Sequence, residues 1–153
     1  MSKYDKKHGQ IERTLTAIVT AAATNLTTDT PGNVVQLQVK NGNALTGYSV
    51  PDGGGLFNRL KAIPRASVAA DTVLYLFVSQ DGGATFRQAA VALLKSQVLT
   101  VSVAPTPAVF SDLTTDDPIR SQFGDTWYVA ASNALAGGIS FLGNLTEFGT
   151  VEE

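Results

Sequence analysis

The chain has 153 residues, of which 44% are hydrophobic and only 16% charged, and its formal net charge is −2. That length fits one domain with a core that needs no staples, and the charge balance gives no drive toward nucleic acid or an anionic membrane. The lack of cysteine excludes disulfides and thiolate metal sites, and no apolar run reaches the length of a membrane span.

Residues 1–10 carry Lys3, Lys6, Lys7 and His8 and almost nothing to bury. They are expected to form a flexible basic arm that orders only when laid on a partner. Asp5 and Glu12 interrupt the basic run and no compact apolar segment with a cleavage site follows, so no signal peptide is expected.

Residues 11–153 read as one β domain. Residues 14–20 alternate, with Leu15, Ala17 and Val19 on one face and Thr14, Thr16 and Thr20 on the other. Residues 34–39 alternate more cleanly, Val35, Leu37 and Val39 against Gln36 and Gln38. Residues 72–78 and 126–131 are apolar on both faces, which predicts central strands with Trp127 in the core. Residues 86–94 fit two periods. Phe86, Ala89, Ala90, Leu93 and Leu94 have helical spacing, whereas a strand would put Phe86, Gln88, Ala90, Ala92 and Leu94 on one face. The preceding Asp81-Gly82-Gly83 decides for the strand, because a hairpin turn needs a returning partner. Leu99, Val101 and Val103 against Thr100 and Ser102 predict another half-buried strand, and residues 139–146 the closing one.

Turn chemistry falls between these runs at Thr30-Pro31-Gly32-Asn33, Asn41-Gly42-Asn43, residues 51–55, Asp116-Asp117-Pro118, Phe123-Gly124-Asp125 and Gly137-Gly138. The expected fold is all-β, an antiparallel β-sandwich of about eight strands, jelly-roll-like, preceded by the arm.

Ser79, Asp81, Gly82, Gly83, Thr85 and Phe86 spell S-x-D-G-G-x-T-F, which resembles the Asp-box hairpin of sialidase propellers. In that motif the carboxylate accepts backbone N–H bonds, glycine takes φ > 0 and the aromatic residue packs beneath, all of it structural work. A four-bladed propeller at roughly 40 residues per blade would need about 160 residues. With one box and scattered arginines, the motif is expected to be a hairpin tip.

Other chemistries find no constellation. The only imidazole is His8, in the arm, where it would make a poor base for a serine nucleophile. Asp112, Asp116, Asp117 and Asp125 crowd together, but beside Thr, Pro and Gly they read as turn residues more readily than as calcium ligands. The run Gly53-Gly54-Gly55 has no following Lys-Ser/Thr, which argues against a phosphate cradle. Neither an enzyme nor a bound cofactor or metal is expected.

The phrases LYLFVSQDGGATFRQAAVALL, PAVFSDLTTDDPIRSQFGDTWYVAAS and GISFLGNLTEFG, spanning roughly residues 70–148, resemble small structural proteins from the head gene clusters of tailed bacteriophages. The resemblance implies a β-sandwich decoration (cement) protein on the capsid exterior of a virion. Its partner would be the major capsid protein, with Lys3, Lys6 and Lys7 as capsid-binding residues. A homo-oligomer would follow, a trimer favoured because closed symmetry can match a threefold lattice position. The alternative is a carbohydrate- or receptor-binding module of a tail or fibre, which would display an aromatic platform. A head–tail joining or tail-tube role is a third reading.

Overall fold

The computed structural model describes residues 10–114 and 116–148 and contains eleven strands among them. These are β1 (Gln10–Val19), β2 (Val35–Gln36), β3 (Gln38–Asn41), β4 (Ala44–Gly47), β5 (Gly55–Pro64), β6 (Thr72–Ser79), β7 (Arg87–Leu94), β8 (Ala108–Val109), β9 (Ile119–Ser121), β10 (Thr126–Ala131) and β11 (Ile139–Phe148). They form two antiparallel sheets. One has the order β4-β3-β1-β11-β5-β8 with β9 also on β5; the other is β2-β10-β6-β7.

Period-two patterning explains the main ladders. Leu15, Ala17 and Val19 of β1 are buried, while Thr14, Thr16 and Ile18 point outward. The pairs Leu15↔Gly143 and Ala17↔Phe141 carry this face onto β11. Opposite them, Leu74 and Leu76 of β6 and Trp127, Val129 and Ala131 of β10 complete one core. β6 and β10 are apolar on both faces because their outer face is covered as well. Phe77, Phe86 and Ala130 form a second cluster, over which Ala23, Leu26 and Val34 from the β1–β2 connection are packed.

Three expectations need correction. Residues 34–39 do not make one strand: the ladder breaks at Leu37, with β2 pairing β10 and β3 pairing β1. The Leu37 N–H donates to the Trp127 carbonyl at 2.8 Å, so the buried Leu37 marks where the chain crosses between sheets. Phe86 and Gln88 do not share a face with Ala90 and Leu94. Ala89 is an extra residue between the pairs Leu76↔Ala90 and Phe77↔Gln88, and this β-bulge sends Phe86 and Gln88 outward while Ala90 and Leu94 stay in the core. Residues 99–103 are not a half-buried strand. They form a tight exposed turn closed by the single bridge Thr100↔Val103.

A further strand, β5, carries no clean alternation in sequence. Asn58 is unpaired between Asn144↔Arg59 and Leu145↔Phe57, and this bulge shifts the inward set from Phe57 to Leu60, Ala62 and Pro64.

Candidate interaction surface

The strand registers place the loops at two opposite ends. Gly55↔Glu147 and Gln10↔Phe148 define one end, and Pro64↔Ile139 and Val19↔Ile139 the other. The hairpin tip after Ser79 lies at the first end, with the loops at Pro51–Gly54 and Phe123–Gly124, since Thr126 pairs with both Ser79 and Ser49.

At that tip the predicted turn residues come together. Asp81 accepts the Thr85 hydroxyl at 2.6 Å on Oδ2 and the Thr85 N–H at 2.9 Å on Oδ1. Ser79 Oγ donates to Asp81 Oδ1 at 3.0 Å and accepts the Gly83 N–H at 2.8 Å. The bonds from Thr85, with Ser79 adding to them, hold the Asp81 carboxyl at a pKa of about 2. Gly83 has φ of +94°, and a Cβ there would meet the Tyr128 hydroxyl at 2.9 Å. Phe86 packs edge-on against Tyr128 with centroids 4.8 Å apart. Its N–H donates to the Asp29 carbonyl and Arg87 pairs with the Asp29 carboxylate at 2.8 Å, which ties the covering loop to the hairpin. Every group that the Asp81 carboxylate holds belongs to the turn itself, and this is the chemistry of a structural tip.

The acidic stretch divides. Asp125 is buried and accepts the Gln122 N–H at 2.8 Å, whereas Asp112, Asp116 and Asp117 lie on the surface. The Asp117 N–H closes a turn onto Thr114. No three His, Cys, Asp or Glu side chains gather among the described residues. Trp127 is 1% exposed, and its indole N–H donates to Ser121 Oγ at 2.9 Å. Lys3, Lys6, Lys7 and His8 lie outside the described residues.

Grooves open on the surface among the described residues. One, of about 310 Å³, lies on the outer face of the larger sheet between Thr14, Arg59, Lys61, Val109, Leu142 and Asn144. Another, of about 430 Å³, lies at the first end between Ile11, Pro51, Asp52, Phe123, Glu147 and Phe148, with Phe123 68% exposed.

The feature that sequence reading assigned wrongly stands at the second end. Residues 96–111 contain no charge, and Val98 (73% exposed), Val101 (fully exposed) and Val103 project from the fold as an apolar finger. Its base is built. Gln97 and Val68 exchange both backbone bonds, and the Gln97 side chain accepts the Thr106 N–H at 2.8 Å and donates to its carbonyl at 3.0 Å. Asp71 clamps the entry by accepting the Ser96 N–H at 2.8 Å. That bond first, and then Lys95, hold its carboxyl below the usual range. The signal available in the sequence was the uncharged run that ends in Pro105 and Pro107, which cannot join a central ladder.

Comparison with known proteins adds the fold. No family model and no curated protein matches the chain. Among solved structures, the Eiger TNF from S. frugiperda is similar with a TM-score of 0.54 at 11% identity, over 94% of this chain and 96% of that one. At that identity the likeness concerns architecture alone, and with the two antiparallel sheets it establishes an all-β sandwich of jelly-roll type.

Proposed function

We propose that this chain is a non-enzymatic structural protein of a bacteriophage virion. It decorates the outside of the capsid and bridges major capsid subunits as a homo-oligomer. The observation that carries the reading is the apolar finger: a rigidly based, uncharged projection has no catalytic use and gains free energy when a partner covers it. The head-cluster phrases in residues 70–148 support the same class. Attachment is mechanical. The finger seats in an apolar recess between shell subunits, and Lys3, Lys6 and Lys7 pair with acidic groups of the shell, which together oppose the outward pressure of packaged DNA.

The test uses undecorated capsids of the phage that encodes the chain. Wild-type protein is expected to bind at a fixed copy number per shell and to raise the temperature of shell disassembly. Val101→Asp should weaken binding at least tenfold with an unchanged melting temperature, and removal of residues 1–9 should weaken it in a salt-dependent way. Absence of the protein from purified virions would overturn the proposal.

One observation favours the alternative module. Phe123 stands exposed over the groove that also holds Asp52, a pairing of aromatic surface and carboxylate suited to a sugar or receptor loop. Glycan binding abolished by Phe123→Ala, with capsid binding absent, would select that reading.

A further inference from the structure

β7 ends the four-stranded sheet, and among the described residues its backbone pairs only with β6. A free row of N–H and C=O groups templates another strand, and edges are ordinarily blunted by charge, proline, bulges or cover. Two such devices, the charge of Arg87 and the bulge at Ala89, sit at its first end, and β8 lies close to β7 without pairing to it. Beyond the bulge, residues 90–94 run Ala-Val-Ala-Leu-Leu with no charge, proline or glycine, and Val91 and Leu93 are 36% and 45% exposed on the outer face.

We propose that this edge is a homodimer interface. Residues 90–94 of two copies pair antiparallel about a two-fold axis at Ala92, which joins two four-stranded sheets into one of eight strands.

The self-complementarity of the strand points to a second copy as the occupant. Antiparallel pairing of identical strands obeys two-fold symmetry, so each favourable contact is made twice. With Ala92 opposite Ala92, Val91 faces Leu93 of the second copy and Leu93 faces its Val91. Both exposed apolar side chains are then covered on the outer face. On the core face Ala90 meets Leu94, where Ala89 and Ala92 are only partly buried in the single chain. Charge selects the register. Centring on Ala92 puts Lys95 opposite Ala89, whereas centring on Val91 would set Arg87 against Lys95. Both cations already hold carboxylates, Arg87 on Asp29 at 2.8 Å and Lys95 on Asp71 at 3.8 Å, so neither enters as a bare charge. The inference stands apart from the capsid reading, and if both hold it favours two-fold lattice positions over the threefold ones expected from the resemblance.

Light scattering on the eluting protein at tens of micromolar tests it. The expected mass is twice the 16.0 kDa of one chain. Val91→Lys and Leu93→Glu should each return the mass to one chain that keeps the wild-type far-UV spectrum, because both positions face solvent in the single chain, and the melting temperature should lose its dependence on protein concentration. Combining them should restore the dimer, since the lysine at 91 then faces the glutamate at 93. Val101→Asp should leave the dimer intact. A monomeric wild type, single variants that keep the dimer mass, a double variant that stays monomeric, or loss of the oligomer through Val101→Asp would each overturn the proposal.

Discussion

The hydroxyl of Tyr48 donates to Glu147 Oε2 at 2.7 Å, and both residues are nearly closed off from solvent. Arg13 Nε approaches the other oxygen, Oε1, at 3.2 Å. A carboxylate near the end of the last strand is thus held by the first strand and by the loop after β4, and these two contacts close the core beside the Phe123 groove. Burial, reinforced by the bond to Glu147, raises the Tyr48 pKa well above the usual phenol value.

Tyr48→Phe leaves one oxygen of a buried carboxylate short of a donor. The expected loss is about 1.5–3 kcal/mol for a buried bond to a charged group, read from urea denaturation at neutral pH. The folded state also keeps the Tyr48 proton at pH values where the unfolded chain releases it. This contribution is therefore fully present below about pH 10, the ordinary phenol value, and is lost as pH rises beyond it. Wild type should lose stability more steeply than Tyr48→Phe above that point, and equal slopes would contradict the coupling.

Asp81→Ala should lower the melting temperature and change no binding activity, because every group that Asp81 holds lies within the hairpin. The sign of the pH effect follows from a carboxyl held at about 2 against an ordinary 3.8. The stabilisation is present above the ordinary value and fades as pH falls through the range down to about 2. Melting curves of wild type and variant should differ most near neutral pH and converge toward pH 2. A constant gap would mean that the carboxylate charge plays no part.

Trp127→Ala should cost roughly 3–5 kcal/mol through the cavity it leaves. Trp127 packs against Phe57 with ring centroids 4.9 Å apart, in the middle of the core. The native protein should show blue-shifted indole emission resistant to iodide. Red-shifted, readily quenched emission would place the ring at the surface.

Gly83→Ala tests the close approach at the tip. The added methyl has a backbone at φ +94° and the Tyr128 hydroxyl at 2.9 Å to contend with. Strain of this kind costs on the order of 1–3 kcal/mol. Gly82→Ala meets no such neighbour, so it should be milder, and thermal melts of the pair should rank in that order.

Much of the fold was legible in local pattern. The alternation of Leu15, Ala17 and Val19 named the buried face of β1, the two-sided apolar runs named β6 and β10 as central, and Asp81-Gly82-Gly83 required β7 to return as a strand. Such features depend on residues within one or two turns of chain, where side-chain period and backbone preference act directly. The bulges at Asn58 and Ala89 were not legible, because an extra residue is defined only against the partner strand that skips it. The crossing at Leu37 depended on Trp127, ninety positions away, accepting its N–H. Residues 99–103 show the limit most plainly. Their alternation is as regular as that of β1, yet a strand needs both a ladder partner and a core to face. With β5 already flanked by β11, β8 and β9, the assembled sandwich leaves the valines outside. Period belongs to the sequence, but burial is allotted by whichever strands occupy the sheet.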